Sequence, residues 1–237
     1  MSWQQTYLDR FYGGYVDGTT EFHAMCTAHI PSGATILEVG AGPSNDTSRF
    51  LSSLGRLSGL DVDPAVRSNA YLADAFVLES DIYPFGDSCF DACVSNYVLE
   101  HIANPTSHLS EIHRILRPGG VYLFRTPNRH HYVALVSRWT PHWIHTAMAN
   151  RLRRLPDEAP EPYPTYYRLN SRRAIRKAAA RSGLGVRELR MVEKEPSYGM
   201  ASRPMFVSFM LYERVVNSSA LFAVLRANVF GLLQRPR

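Results

Sequence analysis

The residues best suited to chemistry lie in one short turn and in one acid beyond it. Glu38-Val39-Gly40-Ala41-Gly42-Pro43 joins an apolar run to a polar one. Glycines in such a turn let the backbone pass close to a ligand. Asp61 follows Gly40 by 21 residues. An acid near that offset accepts hydrogen bonds from ribose hydroxyls. The combination points to a cofactor that carries a nucleoside. The dinucleotide fingerprint G-x-G-x-x-G is incomplete, because Asn45 stands where a small residue is needed for close helix–strand packing. That weighs against a nicotinamide oxidoreductase.

The elements around this turn alternate. Ala34–Val39 (ATILEV) reads as a buried parallel strand. Ser44 or Asn45 can cap the helix that follows, with Phe50, Leu51 and Leu54 at helical spacing. Gly59–Val62, Ala75–Leu78, Phe90–Ser95 and Val121–Arg125 read as four more strands. Pro64 opens a helix after the second strand. Leu109, Ile112, Ile115 and Leu116 form a helical stripe that Arg117-Pro118-Gly119-Gly120 stops. Repeated β-α-β units predict an α/β fold. It is Rossmann-like and doubly wound, a mainly parallel sheet with helices on both faces. Ligands bind such sheets beyond the carboxyl ends of the strands.

The ordered set ILEVGAG (36–42), GLD (59–61), DIYPF (81–85), FD (90–91), SNYVLEHI (95–102) and RILRPGG (114–120) resembles the class I S-adenosylmethionine-dependent methyltransferases. The resemblance covers about residues 34 to 126. It implies S-adenosylmethionine as cofactor and S-adenosylhomocysteine as product. Glu38, Gly40 and Gly42 would border the methionine part, with Ala41 between them. Asp61 would hold the ribose, with Val62 beside it. Asp81 and Ile82 would flank the adenine, and Asn96 would sit near the methionine amino group. The third glycine of the family's E-x-G-x-G-x-G form is Ser44 here. A sulfonium methyl is already a strong electrophile, so the protein mainly aligns a nucleophile and excludes water. A base is needed only where the acceptor must lose a proton.

Glu100-His101 is similar to the E-x-x-E-H element of metal-assisted methyltransferases, but its first Glu is Tyr97 here. Losing a hard oxygen ligand removes the case for a metal. His101 is read either as a base or substrate contact or as a structural histidine. Residues 127–170 are read as a helical and Pro-rich insertion after the fifth strand, broken at Pro141. Its histidines and aromatics, among them His131, Tyr163, Tyr166 and Tyr167, suit a lid over a small organic acceptor. His131 and Tyr166 join His101 as catalytic candidates. Oxygen is the expected accepting atom.

The rest of the chain frames these candidates. Residues 1–33 form an N-terminal arm whose Tyr7, Tyr12 or Tyr15 either closes over the cofactor or simply packs. Residues 171–237 complete a single domain with a helical C-terminus. Ser171–Ser182 reads as helix and Val186–Glu193 as a sixth strand. Residues 204–216 fit helix or strand, and no seventh strand is evident. Leu221, Leu225, Val229 and Leu232 read as a stripe on a final helix, for which core or dimer packing is preferred over a membrane surface. Charge is split. Residues 1–127 balance to −7 and residues 128–237 to +12. No basic run marks a nucleic-acid arm, so no nucleic-acid partner is expected. Cys26, Cys89 and Cys93 are too few for a disulfide framework. No signal peptide or run of about 18 apolar residues is present, so a cytoplasmic protein is expected.

Overall fold

The computed structural model describes residues 2–14, 16–132, 163–194 and 202–237. Most of the expected lid, including the break at Pro141, lies outside the described residues, as does Tyr15. The chain gathers into two compact units. The larger comprises Phe22–Arg129, Tyr163–Arg190 and Asn228–Arg237; the smaller comprises Met1–Glu21, His130–Pro162 and Met191–Ala227.

Seven strands form one sheet: β1 (Ala34–Val39), β2 (Gly55–Asp61), β3 (Asp74–Val77), β4 (Phe90–Asn96), β5 (Leu116–Pro127), β6 (Gly185–Val192) and β7 (Asn228–Gln234). The order is β3-β2-β1-β4-β5-β7-β6. The pairs β3–β2, β2–β1, β1–β4 and β4–β5 are parallel, whereas β7 runs antiparallel to β5. Central parallel strands are covered on both faces, so they read as near-continuous apolar runs. In β1, Ile36, Leu37 and Val39 are buried, and in β4 Ala92, Cys93 and Val94 are.

The helices start where side chains satisfy their free N–H groups. Asn45, Asn104, Ser171 and Ser202 cap α3 (Asp46–Ser52), α4 (Pro105–Ile115), α5 (Arg172–Arg181) and α6 (Arg203–Asn217). Pro105 and Pro204 sit in the first turn, where a missing N–H costs nothing. In the larger unit α3 packs on β2, and α4 packs on β5 and α5. The stripe Leu109, Ile112 and Ile115 is the buried face of α4.

Three boundaries differ from the sequence reading. The final apolar stripe is not a helix: Ala220–Leu225 is a short 3-10 helix and Asn228–Gln234 is the missing seventh strand. Leu225, Val229 and Leu232 are spaced for a helix, yet Val229 through Leu233 are all buried. Covering on both faces erases the period-2 signal, and pairing with β5 decides the outcome. Gly231 pairs with Phe124 of β5, and a Cβ there would lie 2.1 Å from the buried Phe124 ring, so the strand needs glycine at this point. Both β2 and β5 begin earlier than expected. The segment Arg117–Gly120 belongs to β5, and the register shifts between Phe90 and Ala92. Finally, the N-terminal arm contains α1 (Trp3–Phe11) and α2 (Gly18–His29). In the smaller unit Trp3, Tyr7 and Tyr12 set their rings edge-on to Phe206 of α6.

A polar chain crosses the core of the larger unit. Tyr83 Oη lies 2.7 Å from His108 Nδ1, His108 Nε2 lies 3.0 Å from Tyr122 Oη, and Tyr122 Oη lies 2.6 Å from Ser95 Oγ. Burial pushes His108 down to about 4, so it is neutral near pH 7 and can donate from one nitrogen and accept at the other. Nothing in the amino-acid pattern signals this chain, because its four members, Tyr83, Ser95, His108 and Tyr122, lie on separate elements far apart in the sequence.

Candidate functional site

Strand register places the chemistry. Val39 is level with Leu60 on β2 and with Ser95 on β4. The next residue on each strand is Gly40, Asp61 and Asn96. All three therefore leave the sheet at the same height, at the point where strand order reverses. That is where open α/β sheets carry a crevice.

Gly40 and Gly42 adopt φ of +74° and +55°. This left-handed backbone costs a β-carbon residue energy but not glycine. A Cβ on Gly40 would meet Val98 Cγ2 at 2.3 Å, whereas one on Gly42 would point into open space. Asp61 fixes the turn: one carboxylate oxygen accepts from Gly42 N at 2.8 Å and the other from Asp63 N at 2.9 Å. A carboxylate offers about four acceptor directions, so capacity for hydroxyl donors remains. Ser44, in place of the expected third glycine, accepts from Ala70 N at 2.9 Å and so ties the turn to the loop after β2.

Beneath the turn, Glu38 is 2% exposed and accepts from Ser48 Oγ at 2.6 Å. Asn69 donates to Ser48 Oγ at 2.9 Å and to the carbonyls of Gly42 and Pro43 at 3.2 and 3.3 Å. Burial pushes the Glu38 carboxyl up to about 7; the Ser48 hydroxyl pulls the other way and the Asp61 charge adds to the rise. The folded chain thus holds this proton longer than the unfolded one. Its stabilising share is full below about 4.5 and is lost as pH rises through about 7. Glu38→Gln, which cannot ionise, is expected to be more stable than the wild type by about 1–3 kcal/mol at pH 8 and nearly equal at pH 5. Urea unfolding at the two pH values checks this; equal stability at pH 8 contradicts it.

Asn96 is held from both ends. It accepts from Arg125 Nε at 2.7 Å and donates to Thr47 Oγ1 at 3.0 Å. The Arg125 guanidinium also lies 4.5 Å over the ring of Tyr97. Tyr97 has φ +58°, a strained conformation for a non-glycine residue at the end of β4. Val62, Asp81 and Ile82 lie on the loops after β2 and β3, with Val62 and Ile82 exposed despite their apolar side chains. Tyr163 Oη donates to Asp63 Oδ2 at 3.0 Å, which brings the end of the insertion to the loop after Asp61.

The catalytic candidates divide. His101 Nδ1 lies 2.9 Å from the Pro164 carbonyl. A carbonyl only accepts, so Nδ1 carries the proton and Nε2 keeps its lone pair in the neutral ring. Tyr166 N donates to the Glu100 carbonyl at 2.7 Å, and the Tyr166 side chain is exposed. Glu100 itself is buried and accepts from Thr126 Oγ1 at 3.1 Å; burial raises its carboxyl. It therefore ties the segment around Tyr166 to β5. His131 belongs to the smaller unit. There it is buried, with Nε2 3.6 Å from Glu193 Oε2 and its ring 4.1 Å from that of Tyr132. Burial pushes His131 down to about 4 and Glu193 up to about 7.

Residues 37–124 match the model of a methyltransferase domain family. An uncharacterized methyltransferase of Mycolicibacterium vanbaalenii is 34% identical over 128 residues, which is 50% of each chain. A malonyl-[acyl-carrier protein] O-methyltransferase of Pectobacterium atrosepticum is 37% identical over 109 residues, covering 44% of this chain and 42% of that one. The chain thus spans about half the length of the curated relatives it matches. The geranyl diphosphate C-methyltransferase of Streptomyces coelicolor A3(2), solved with Mg2+, geranyl-S-thiolodiphosphate and S-adenosyl-L-homocysteine, superposes with a TM-score of 0.56 at 16% identity. That superposition covers 91% of this chain and 76% of that chain. At that identity the likeness concerns the fold alone. The matched residues hold the end of β1, β2, β4 and the glycine turn, so over residues 37–124 this chain is similar to that methyltransferase domain family.

Proposed function

We propose that the chain transfers the methyl group of S-adenosylmethionine to a small organic acceptor, with oxygen as the accepting atom. The observation that carries this reading is the level grouping of Gly40, Asp61 and Asn96, with Gly42 bonded to Asp61, beside the buried Glu38. These residues fit the cofactor. Asp61 has acceptor capacity for a ribose diol, and Gly42 leaves the space that a Cβ would otherwise take. Val62 and Ile82 offer apolar surface for a base, and ionised Glu38 would balance the cationic methionine end. When bound, the cofactor supplies an electrophilic methyl on sulfonium. The chain binds and orients, excludes water, and accepts a proton where the acceptor must lose one.

For that last task His101 is the candidate base, because its Nε2 is the free acceptor. Tyr166 would line the acceptor's side. His131, the third candidate, is buried in the smaller unit beside Glu193 and is given no part in this step. The oxygen assignment draws support from the O-methyltransferase relative. Fold alone does not fix chemistry, so a cofactor-binding protein without methyl transfer is the alternative.

The test uses methyl-labelled S-adenosylmethionine with a panel of carboxylate, phenol and alcohol acceptors. Label in an oxygen-linked product, with turnover reduced about 10²–10⁴-fold in His101→Ala but cofactor affinity unchanged, is expected. Cofactor binding without transfer to any acceptor would favour the alternative.

A further inference from the structure

The smaller unit carries an apolar surface that the proposed chemistry does not use. Among the described residues no helix is long and apolar enough to cross a membrane. Yet Leu221, Phe222, Val224 and Leu225 of the 3-10 helix Ala220–Leu225 are all exposed, Leu221 by 85%. On α6, Leu211 and Val215 are exposed by 55% and 56%. They are four residues apart and so share one face. The 3-10 helix packs against α6. A run of exposed apolar residues of this length is costly in water unless something covers it.

This short helix is held firmly. Ser219 caps it, Tyr212 Oη donates to the Leu225 carbonyl at 2.7 Å, and Arg226 Nε donates to the Val216 carbonyl at 3.2 Å. The apolar side chains therefore stand on a braced projection.

Among the described residues of α6 and the 3-10 helix, the exposed charges are cationic. At 100° per residue, Arg203 and Arg214 fall on one border of the Leu211–Val215 stripe, and both are exposed. The helix acid Glu213 falls on the far side. There it accepts from Tyr12 Oη at 2.8 Å and from Asn217 Nδ2 at 2.7 Å. No acid occurs from Val215 to Ala227. Glu193, the acid tied to this segment by hydrogen bond, is half-buried and accepts from Ala227 N at 2.6 Å. A second copy of this face would set cation against cation. An anionic lipid interface satisfies both the aliphatic side chains and the arginines.

We propose that α6 and the 3-10 helix form a peripheral docking surface for an anionic phospholipid membrane. Leu221, Phe222, Val224 and Leu225 enter the boundary between headgroups and acyl chains, and Arg203 and Arg214 meet the phosphates. The inference stands on side chains of the smaller unit and does not depend on methyl transfer.

Flotation of the full chain with vesicles tests it. Vesicles of equimolar phosphatidylcholine and phosphatidylglycerol are compared with phosphatidylcholine alone. The chain is expected to float with the anionic vesicles and less with the neutral ones, and to be released by salt. Leu221→Asp/Val224→Asp should reduce vesicle binding at least tenfold. Arg203→Glu/Arg214→Glu should reduce it only on anionic vesicles. Both variants should keep the wild-type melting temperature; should the first lose it, the arginine variant decides alone. Wild-type protein that stays with neither vesicle overturns the proposal. So does a stable dimer that Leu221→Asp/Val224→Asp splits without any change in flotation, which would assign the face to a second copy.

Discussion

Asp61→Ala is expected to lower affinity for S-adenosylmethionine and S-adenosylhomocysteine at least a hundredfold. A carboxylate that accepts from two ribose hydroxyls contributes about 1.5–3 kcal/mol per charged hydrogen bond. Losing both is worth about 3 kcal/mol or more, which is at least two decades in Kd. The substitution also frees the Gly42 and Asp63 amides, which Asp61 holds at 2.8 and 2.9 Å. Asp61→Asn separates the two roles. It keeps an acceptor for Gly42 N and loses the charge, so its affinity should fall between those of wild type and alanine. Calorimetric titration of the three proteins reads the order. Equal affinity in Asp61→Ala would mean that the ribose is held elsewhere.

Gly40→Ala should cost about 2–5 kcal/mol of stability and abolish cofactor binding. The φ of +74° alone costs a β-carbon residue about 1–2 kcal/mol. A Cβ 2.3 Å from Val98 Cγ2 adds an overpacking cost of about 1–3 kcal/mol. Val98 yields poorly, because it follows the strained Tyr97 and precedes the buried Leu99. Gly42→Ala makes the informative contrast. Its φ is also positive, but nothing lies within 4 Å of the added carbon. It should cost only about 1–2 kcal/mol of stability while still filling the space that the cofactor needs. Urea unfolding with ligand titration separates the two. If Gly42→Ala bound S-adenosylhomocysteine as the wild type does, the open space beside Gly42 would not be part of the cofactor site.

Much of this site is legible in the sequence because its logic is local. A glycine pair at the end of an apolar run, and an acid at the end of the next, need only strand and turn rules to be connected. Parallel register then brings Asn96 to the same height. Residues that act across long separations leave no such trace. Asn69 reaches Ser48 and the carbonyls of the turn, yet in the sequence it is a single asparagine in a loop. Tyr163 meets Asp63 from 100 positions away. Arg125 did leave a signal, a lone cation closing the apolar run VYLFR, and its partners Asn96 and Tyr97 explain it. The seventh strand was hidden because burial on both faces removes alternation. Its apolar spacing suits a helix as well as a strand, and only pairing with β5 tells them apart.

The glycine turn and Asp61 are expected to bind S-adenosylmethionine. Titration calorimetry of the wild-type chain with S-adenosylmethionine, S-adenosylhomocysteine and NADH tests it most directly. Saturable binding of the first two and none of the third is the predicted result. Heat from NADH alone, or from none of the three, would contradict the cofactor assignment and the acceptor chemistry that rests on it.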